Sequence, residues 1–249
     1  MKKLIVGNWK LYINTPQEGK KLIRDIDKKL PRSLKVEVAL CPQVSLAALL
    51  KSGYSGKRMA FGTQDLFTEE SGAYTGQVSA KSLTASGIKY VIVGHAERRA
   101  EGDTDEIVAK KAVAAIATKL HPVICVGESS RDSEGAFFSQ LAAMVTASLS
   151  RIDAVDAAKF TIAYEPVWAI GAGEAPSPRT VAEAAMFIRK TIADMWGRER
   201  ALKVRIIYGG AVTAESAKAF ATSGGIQGLL PGRASVDATE FTNIIRAFN

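Results

Sequence analysis

Short apolar runs, many of them β-branched, recur along the chain, and the stretches between them carry apolar residues at helical spacing. The first half holds Leu4-Ile5-Val6, Val36-Glu37-Val38-Ala39-Leu40, Met59-Ala60-Phe61 and Tyr90-Val91-Ile92-Val93. The second half holds Val123-Ile124-Cys125-Val126, Phe160-Thr161-Ile162-Ala163-Tyr164, Val204-Arg205-Ile206-Ile207-Tyr208 and Gly228-Leu229-Leu230. Each run has the length and composition of a strand, which predicts eight strands. Between them, Ile107, Ala112, Val113, Ile116, Ala117 and Leu120 fall at helical spacing, as do Val181, Ala184, Ala185, Ile188 and Ile192. Strict alternation of the two kinds of segment predicts parallel strands joined by right-handed helical crossovers. Eight such units over 249 residues suit an α/β fold closed into a (β/α)8 barrel, eight parallel strands with outer helices, in a single domain spanning residues 1–249. Periodicity alone also suits an open doubly wound sheet. The glycine-rich turn that would favour that sheet is missing, because strand one runs into Gly7-Asn8-Trp9-Lys10-Leu11-Tyr12.

Composition narrows the class of partner. Hydrophobic residues make up 47% and charged residues 23%, and no run reaches the roughly 18 continuous apolar residues of a membrane span. A soluble protein with no membrane partner is expected. Met1-Lys2-Lys3-Leu4-Ile5-Val6-Gly7 reads as a first strand rather than a signal peptide, since the apolar run breaks at once into Asn8-Trp9-Lys10. Cys41 and Cys125 are the two cysteines, far apart and without metal-ligand neighbours, so a reducing cytoplasm is expected. The net charge of +8 is spread over helical faces such as Lys20-Lys21, Arg24 and Lys28-Lys29 instead of being interleaved with aromatics, which speaks against nucleic acid. A positive field would equally suit a doubly charged phosphate substrate.

In a closed βα barrel the chemistry lies just past the C-terminal ends of the strands. Strand one is followed there by Asn8 and Lys10, strand four by His95 and Glu97, strand six by Glu165, strand seven by Gly209-Gly210 and strand eight by Gly232-Arg233. Glu165, set between Tyr164 and Pro166, would become more basic if buried. Taken alone it reads more readily as a strand-end carboxylate in a salt bridge. His95 precedes a helical turn, where a ring nitrogen accepting a helix N–H leaves the imidazole neutral and able to donate from its other nitrogen. His121, before Pro122 at a strand start, reads as structural. Gly209-Gly210-Ala211 and Gly232-Arg233-Ala234-Ser235 offer main-chain N–H groups to an anion where barrel phosphate sites are commonly built. Either glycine pair alone is only a turn; their joint placement is the signal. Pro166-Val167-Trp168-Ala169-Ile170-Gly171-Ala172-Gly173 has the composition of a closing lid, or of a loop packed under a helix.

Four motifs carry a resemblance. Gly7-Asn8-Trp9-Lys10, Gly94-His95-Ala96-Glu97-Arg98-Arg99, Ala163-Tyr164-Glu165-Pro166-Val167-Trp168-Ala169-Ile170-Gly171 and Tyr208-Gly209-Gly210-Ala211-Val212 resemble the signatures of the triosephosphate isomerase family, in order and over nearly the whole chain. The resemblance implies interconversion of dihydroxyacetone phosphate and D-glyceraldehyde 3-phosphate in glycolysis and gluconeogenesis. It implies that Glu165 shuttles a proton between adjacent carbons while neutral His95 polarises the carbonyl and handles the oxygen protons. Lys10 and Asn8 would stabilise the enediolate, and Gly171, Gly210, Ala211, Gly232 and Arg233 would bind the phosphate. Glu97 would be a buried partner near the lysine. No metal and no cofactor are implied. Ser71-Gly72-Ala73-Tyr74-Thr75-Gly76-Gln77-Val78 is similar to the family's protruding third loop, which implies a homodimer in which the loop containing Thr75 reaches a second subunit beside its Lys10.

The chain also departs from the family pattern. Leu11-Tyr12 stands where Met-Asn is usual, Ala96 where serine follows the histidine, and Glu174-Ala175-Pro176 where Lys-Thr-Ala is common. Pro176 has no N–H to offer Tyr208, so a compensating contact is expected. Arg233 replaces a glycine. At positive φ it would cost about 1–2 kcal/mol; otherwise its N–H is kept and its guanidinium adds charge near the phosphate, which is the expectation here. Arg233 and Tyr12 keep a related tetrulose-phosphate isomerase as the alternative, and a noncatalytic phosphate-binding barrel is the third reading.

Overall fold

The computed structural model describes residues 1–132, 134–169 and 176–249. Its strands are β1 (Leu4–Asn8), β2 (Glu37–Cys41), β3 (Ala60–Thr63), β4 (Tyr90–Val93), β5 (His121–Val126), β6 (Thr161–Tyr164), β7 (Arg205–Gly210) and β8 (Gly228–Pro231). All pair in parallel with their sequence neighbours, and β8 closes onto β1. The doubly wound alternative is thereby excluded.

The surrounding helices are α1 (Pro16–Lys29), α2 (Val44–Ser52), α3 (Ala80–Ala85), α4 (Ala96–Ala100), α5 (Asp105–Ala117), α6 (Ala136–Leu149), α7 (Pro178–Trp196), α8 (Arg198–Ala201), α9 (Ala214–Ser223) and α10 (Ala238–Phe248). Their starts are written in the sequence. Thr15 caps α1 in a reciprocal box with Glu18, with Pro16 at the first turn. Ser177 caps α7 in the same position relative to Pro178.

Strand parity splits the core into two layers. Leu4, Val6, Ala39, Ile92, Cys125, Ala163 and Ile207 fill the barrel interior. Their alternates, including Ile5, Val38, Val91, Ile162 and Ile206, pack outward against Ile23, Ile26, Val108, Leu141, Ile188 and Ile245 of the helices. Continuous apolar runs are therefore needed, because both faces of each strand are covered.

The strands end slightly later than the apolar runs. Asn8 is the last residue of β1, and Gly209 and Gly210 complete β7 instead of following it. Both strands continue because each still has a paired neighbour, Asn8 opposite Cys41 and Gly210 opposite Pro231.

Candidate active site

Parity and register deliver Glu165 to the barrel mouth. Ala163 points inward and Tyr164 outward, so the next residue again points inward. The pairing Cys125↔Ala163↔Ile207 and Val126↔Tyr164↔Tyr208, carried one step further, puts Gly127 and Gly209 on either side of Glu165. Both flanking positions require glycine. A Cβ on Gly127 would lie 1.9 Å from the Glu165 carbonyl oxygen, and one on Gly209 would lie 2.7 Å from Glu165 Cγ and 2.9 Å from Oε1. The carboxylate is 5% exposed, and its Oε2 has no hydrogen-bond partner among the described residues.

His95 reaches the same point from β4. Gly94, at φ 67°, turns the chain off the strand, and His95 becomes the N-cap of α4. Its Nδ1 accepts the N–H of Glu97 at 3.2 Å, which puts the ring proton on Nε2, 3.3 Å from Glu165 Oε1. The helix N–H expected beside the ring is present, donated by Glu97. Ala96 supplies no hydroxyl at the first position of α4.

Lys10 follows β1 with φ 44°, unusual for a residue with a side chain. Asn8 Oδ1 accepts the Lys10 N–H at 3.1 Å and Gln64 donates to the Lys10 carbonyl at 2.9 Å, so both peptide groups are held in this turn. The ammonium donates to Glu97 Oε1 at 2.7 Å. Glu97 corrects one expectation: it is near the lysine but not buried, with its side chain 57% exposed. It occupies the second position of a short helix on the rim, where its carboxylate projects toward solvent. Partial burial pushes the Glu97 carboxyl up, but the hydrogen bond and charge of the Lys10 ammonium hold it below the ordinary carboxylate range.

Main-chain groups complete the mouth. Gly210 ends β7 and Ala211 follows it, exposed; Gly232 leads into a 3-10 turn over Arg233–Val236. Ser235, fully buried in that turn, donates to the Asn8 and Gly232 carbonyls at 3.2 and 2.6 Å and ties β1 to β8. A Cβ on Gly232 would stand 3.4 Å from Lys10 Cε, so the ammonium stem runs along the glycine. Arg233 is not at positive φ; its guanidinium lies over the Tyr12 ring. Gly171 and the stretch 170–175 lie outside the described residues. Tyr208 Oη is buried with no partner among the described residues, so the contact expected to compensate for Pro176 is not among them.

A neighbouring network was not foreseen from the sequence. Glu128, just past β5, is fully buried, and its Oε1 accepts from Arg131 Nε at 2.8 Å, Tyr164 Oη at 2.8 Å and Trp168 Nε1 at 2.9 Å. The Glu128 carbonyl also accepts the Val167 N–H at 3.0 Å. Both residues that frame the turn after Glu165 are thus fastened to one carboxylate. The signal was present, since Gly127-Glu128 follows a strand end as the other candidates do.

The loops at the two ends of the barrel differ in charge. The basic excess collects at the opposite end of the barrel, on segments leading into the strands, with Lys2, Lys3, Lys35, Lys57, Lys89 and Lys203. Loops at the mouth carry mainly acids, among them Asp65, Glu69, Glu70, Glu101 and Asp132. Net charge says nothing about where the strand ends put it.

A closed parallel barrel holding a carboxylate, an imidazole and an ammonium at one mouth has the architecture of a (β/α)8-barrel enzyme. The family model for triosephosphate isomerase matches residues 3–248. The triosephosphate isomerase of Carboxydothermus hydrogenoformans is 40% identical over 247 residues, covering 98% of each chain. Those of Moorella thermoacetica and Thermoanaerobacter sp. are 39% and 38% identical, covering 97% of this chain and 97% and 98% of their own. The chain belongs to the triosephosphate isomerase family.

Proposed function

We propose that the chain, residues 1–249 acting as one catalytic domain, interconverts dihydroxyacetone phosphate and D-glyceraldehyde 3-phosphate through an enediolate. Glu165 takes a proton from the carbon next to the carbonyl and returns it to the neighbouring carbon, so the product is an isomer of the substrate. His95 donates from Nε2 to the carbonyl oxygen as charge develops there, and the oxygen protons are exchanged through the same nitrogen. Lys10 and Asn8 face the developing oxyanion. Main-chain N–H groups of Gly210, Ala211, Gly232 and Arg233, with Gly171, bind the phosphate; Glu97 holds the Lys10 ammonium.

The observation that carries this reading is the His95 ring, which accepts from Glu97 N–H on one side and faces Glu165 at 3.3 Å on the other. An imidazole so held is a donor beside a base, the arrangement that proton transfer at a carbonyl needs. Family membership favours the three-carbon substrate over the tetrulose phosphate. A coupled assay of purified chain with dihydroxyacetone phosphate and Glu165→Gln as the control tests it; a wild-type chain no faster than that variant would leave a noncatalytic barrel.

The protein is read as a homodimer in the cytoplasm, with a small phosphorylated sugar and not nucleic acid as its partner. Support comes from the rim, where Thr75 lies in an exposed turn and Leu11, Tyr74 and Val44 are exposed apolar side chains. Among the described residues no helix is long and apolar enough to cross a membrane. Sedimentation of the wild type against Thr75→Glu tests the dimer.

A further inference from the structure

Positive charge at the mouth is largely committed. Lys10 is paired with Glu97 at 2.7 Å, Arg98 with Asp65 at 3.2 Å, Arg99 with Asp105 at 2.6 Å and Arg131 with Glu128 at 2.8 Å. Arg233 differs from these four in making no ion pair among the described residues. Its guanidinium carbon lies instead 5.5 Å from the centroid of the Tyr12 ring.

The two residues leave adjacent strands, Tyr12 beyond β1 and Arg233 beyond β8, with the Lys10 stem packed along Gly232 beside them. An aromatic face orients a guanidinium without cancelling its charge, and it leaves the N–H edge free. A carboxylate partner would have used both. Glu97 and Asp65 cancel the charge of Lys10 and Arg98, so an incoming dianion is drawn chiefly by the cation that stands outside these pairs.

We infer that Tyr12 is a positioning residue that orients the Arg233 guanidinium, which no ion pair engages among the described residues, toward the substrate's phosphate group. The inference rests on the reading of the Gly232 and Arg233 main chain as part of the phosphate site. It assigns the pair to binding: the guanidinium meets a group that keeps its charge throughout the reaction, so it contributes to KM and not to kcat.

The test measures KM, kcat and competitive inhibition by inorganic phosphate for the wild type, Arg233→Ala, Arg233→Lys, Tyr12→Leu and the double variant Tyr12→Leu/Arg233→Ala. Arg233→Ala is expected to raise KM and the phosphate inhibition constant about 10-fold, with kcat retained. Its inhibition should also lose part of its dependence on salt. Arg233→Lys, which keeps the charge without the planar fork, should fall between. Tyr12→Leu should raise both constants about 3-fold, and should add nothing once Arg233 is alanine. An unchanged phosphate constant in Arg233→Ala overturns the role of the guanidinium. An equal cost of Tyr12→Leu with and without Arg233 overturns the role of the ring. Titrating inorganic phosphate into Glu165→Gln protein with the same substitutions reads the coupling without turnover, so failure of the isomerase reading is seen separately.

Discussion

His95 Nε2 and Glu165 Oε1 lie 3.3 Å apart, and both side chains are almost fully buried. The two arrive by different routes. Glu165 continues the inward parity of β6, whereas His95 is turned inward by Gly94 and fixed by capping α4. Neither position depends on the other side chain, so a change at one leaves the other in place.

That independence predicts how a crowding mutation acts. Gly209→Ala would put a methyl group 2.7 Å from Glu165 Cγ, and the carboxylate must shift while His95 stays. Misplacement of a reacting group by an ångström costs about 100-fold, so kcat should fall by that order. Gly209 is not at positive φ, so unfolding by urea should change much less than kcat.

The Glu128 carboxylate predicts a stability effect. It is fully buried, with Arg131 as its ion-pair partner, and Tyr164 and Trp168 also donate to it. Burial opposes the Arg131 charge, but Glu128 and Tyr164 outweigh it and hold the guanidinium pKa above its ordinary value. Arg131→Met leaves the buried carboxylate without a counter-ion and should cost about 3 kcal/mol in urea unfolding. Combining it with Glu128→Gln should cost less than the sum of the two singles.

Stability should also fall in mild acid, through His121. Burial, aided by the nearby Arg205 and opposed by Glu37, lowers the His121 pKa from 6.5 to about 4. The unfolded chain therefore binds a proton between those values that the folded chain does not. The contribution is present above about pH 6.5 and is lost as pH falls toward 4; it is roughly 3 kcal/mol at full extent. His121 Nε2 lies 2.8 Å from Thr161 Oγ1, so His121→Asn offers that hydroxyl a polar side chain in place of the ring. Urea midpoints at pH 7 and pH 5 should differ less in that variant than in the wild type.

Much of this was legible in the sequence, for identifiable reasons. The strands were, because a strand covered on both faces must be apolar at every position, as in Tyr90–Val93. Lys10, His95 and Glu165 were, because family-like motifs surround them at strand ends, where position alone would not have separated them from a salt-bridged carboxylate or a capping histidine. Glu128 was not, because its burial is made by Tyr164 and Trp168 from the next unit. The need for glycine at 127 and 209 follows only from register, which no single strand contains. Glu97 was misjudged because the motif specifies its proximity to Lys10 and not how far the rim covers it. Which end of the barrel carries the basic loops was not legible, because a net charge carries no direction.

In the proposed reaction Glu165 moves a carbon-bound proton while His95 serves the oxygen. Incubating dihydroxyacetone phosphate with the protein in heavy water and following deuterium at the reacting carbon by nuclear magnetic resonance tests it most directly. The wild type should incorporate deuterium during turnover. Glu165→Gln should lose both exchange and isomerisation by about 100-fold or more, and His95→Gln should slow both by a comparable factor. Exchange and turnover in Glu165→Gln close to the wild-type rates would contradict the account.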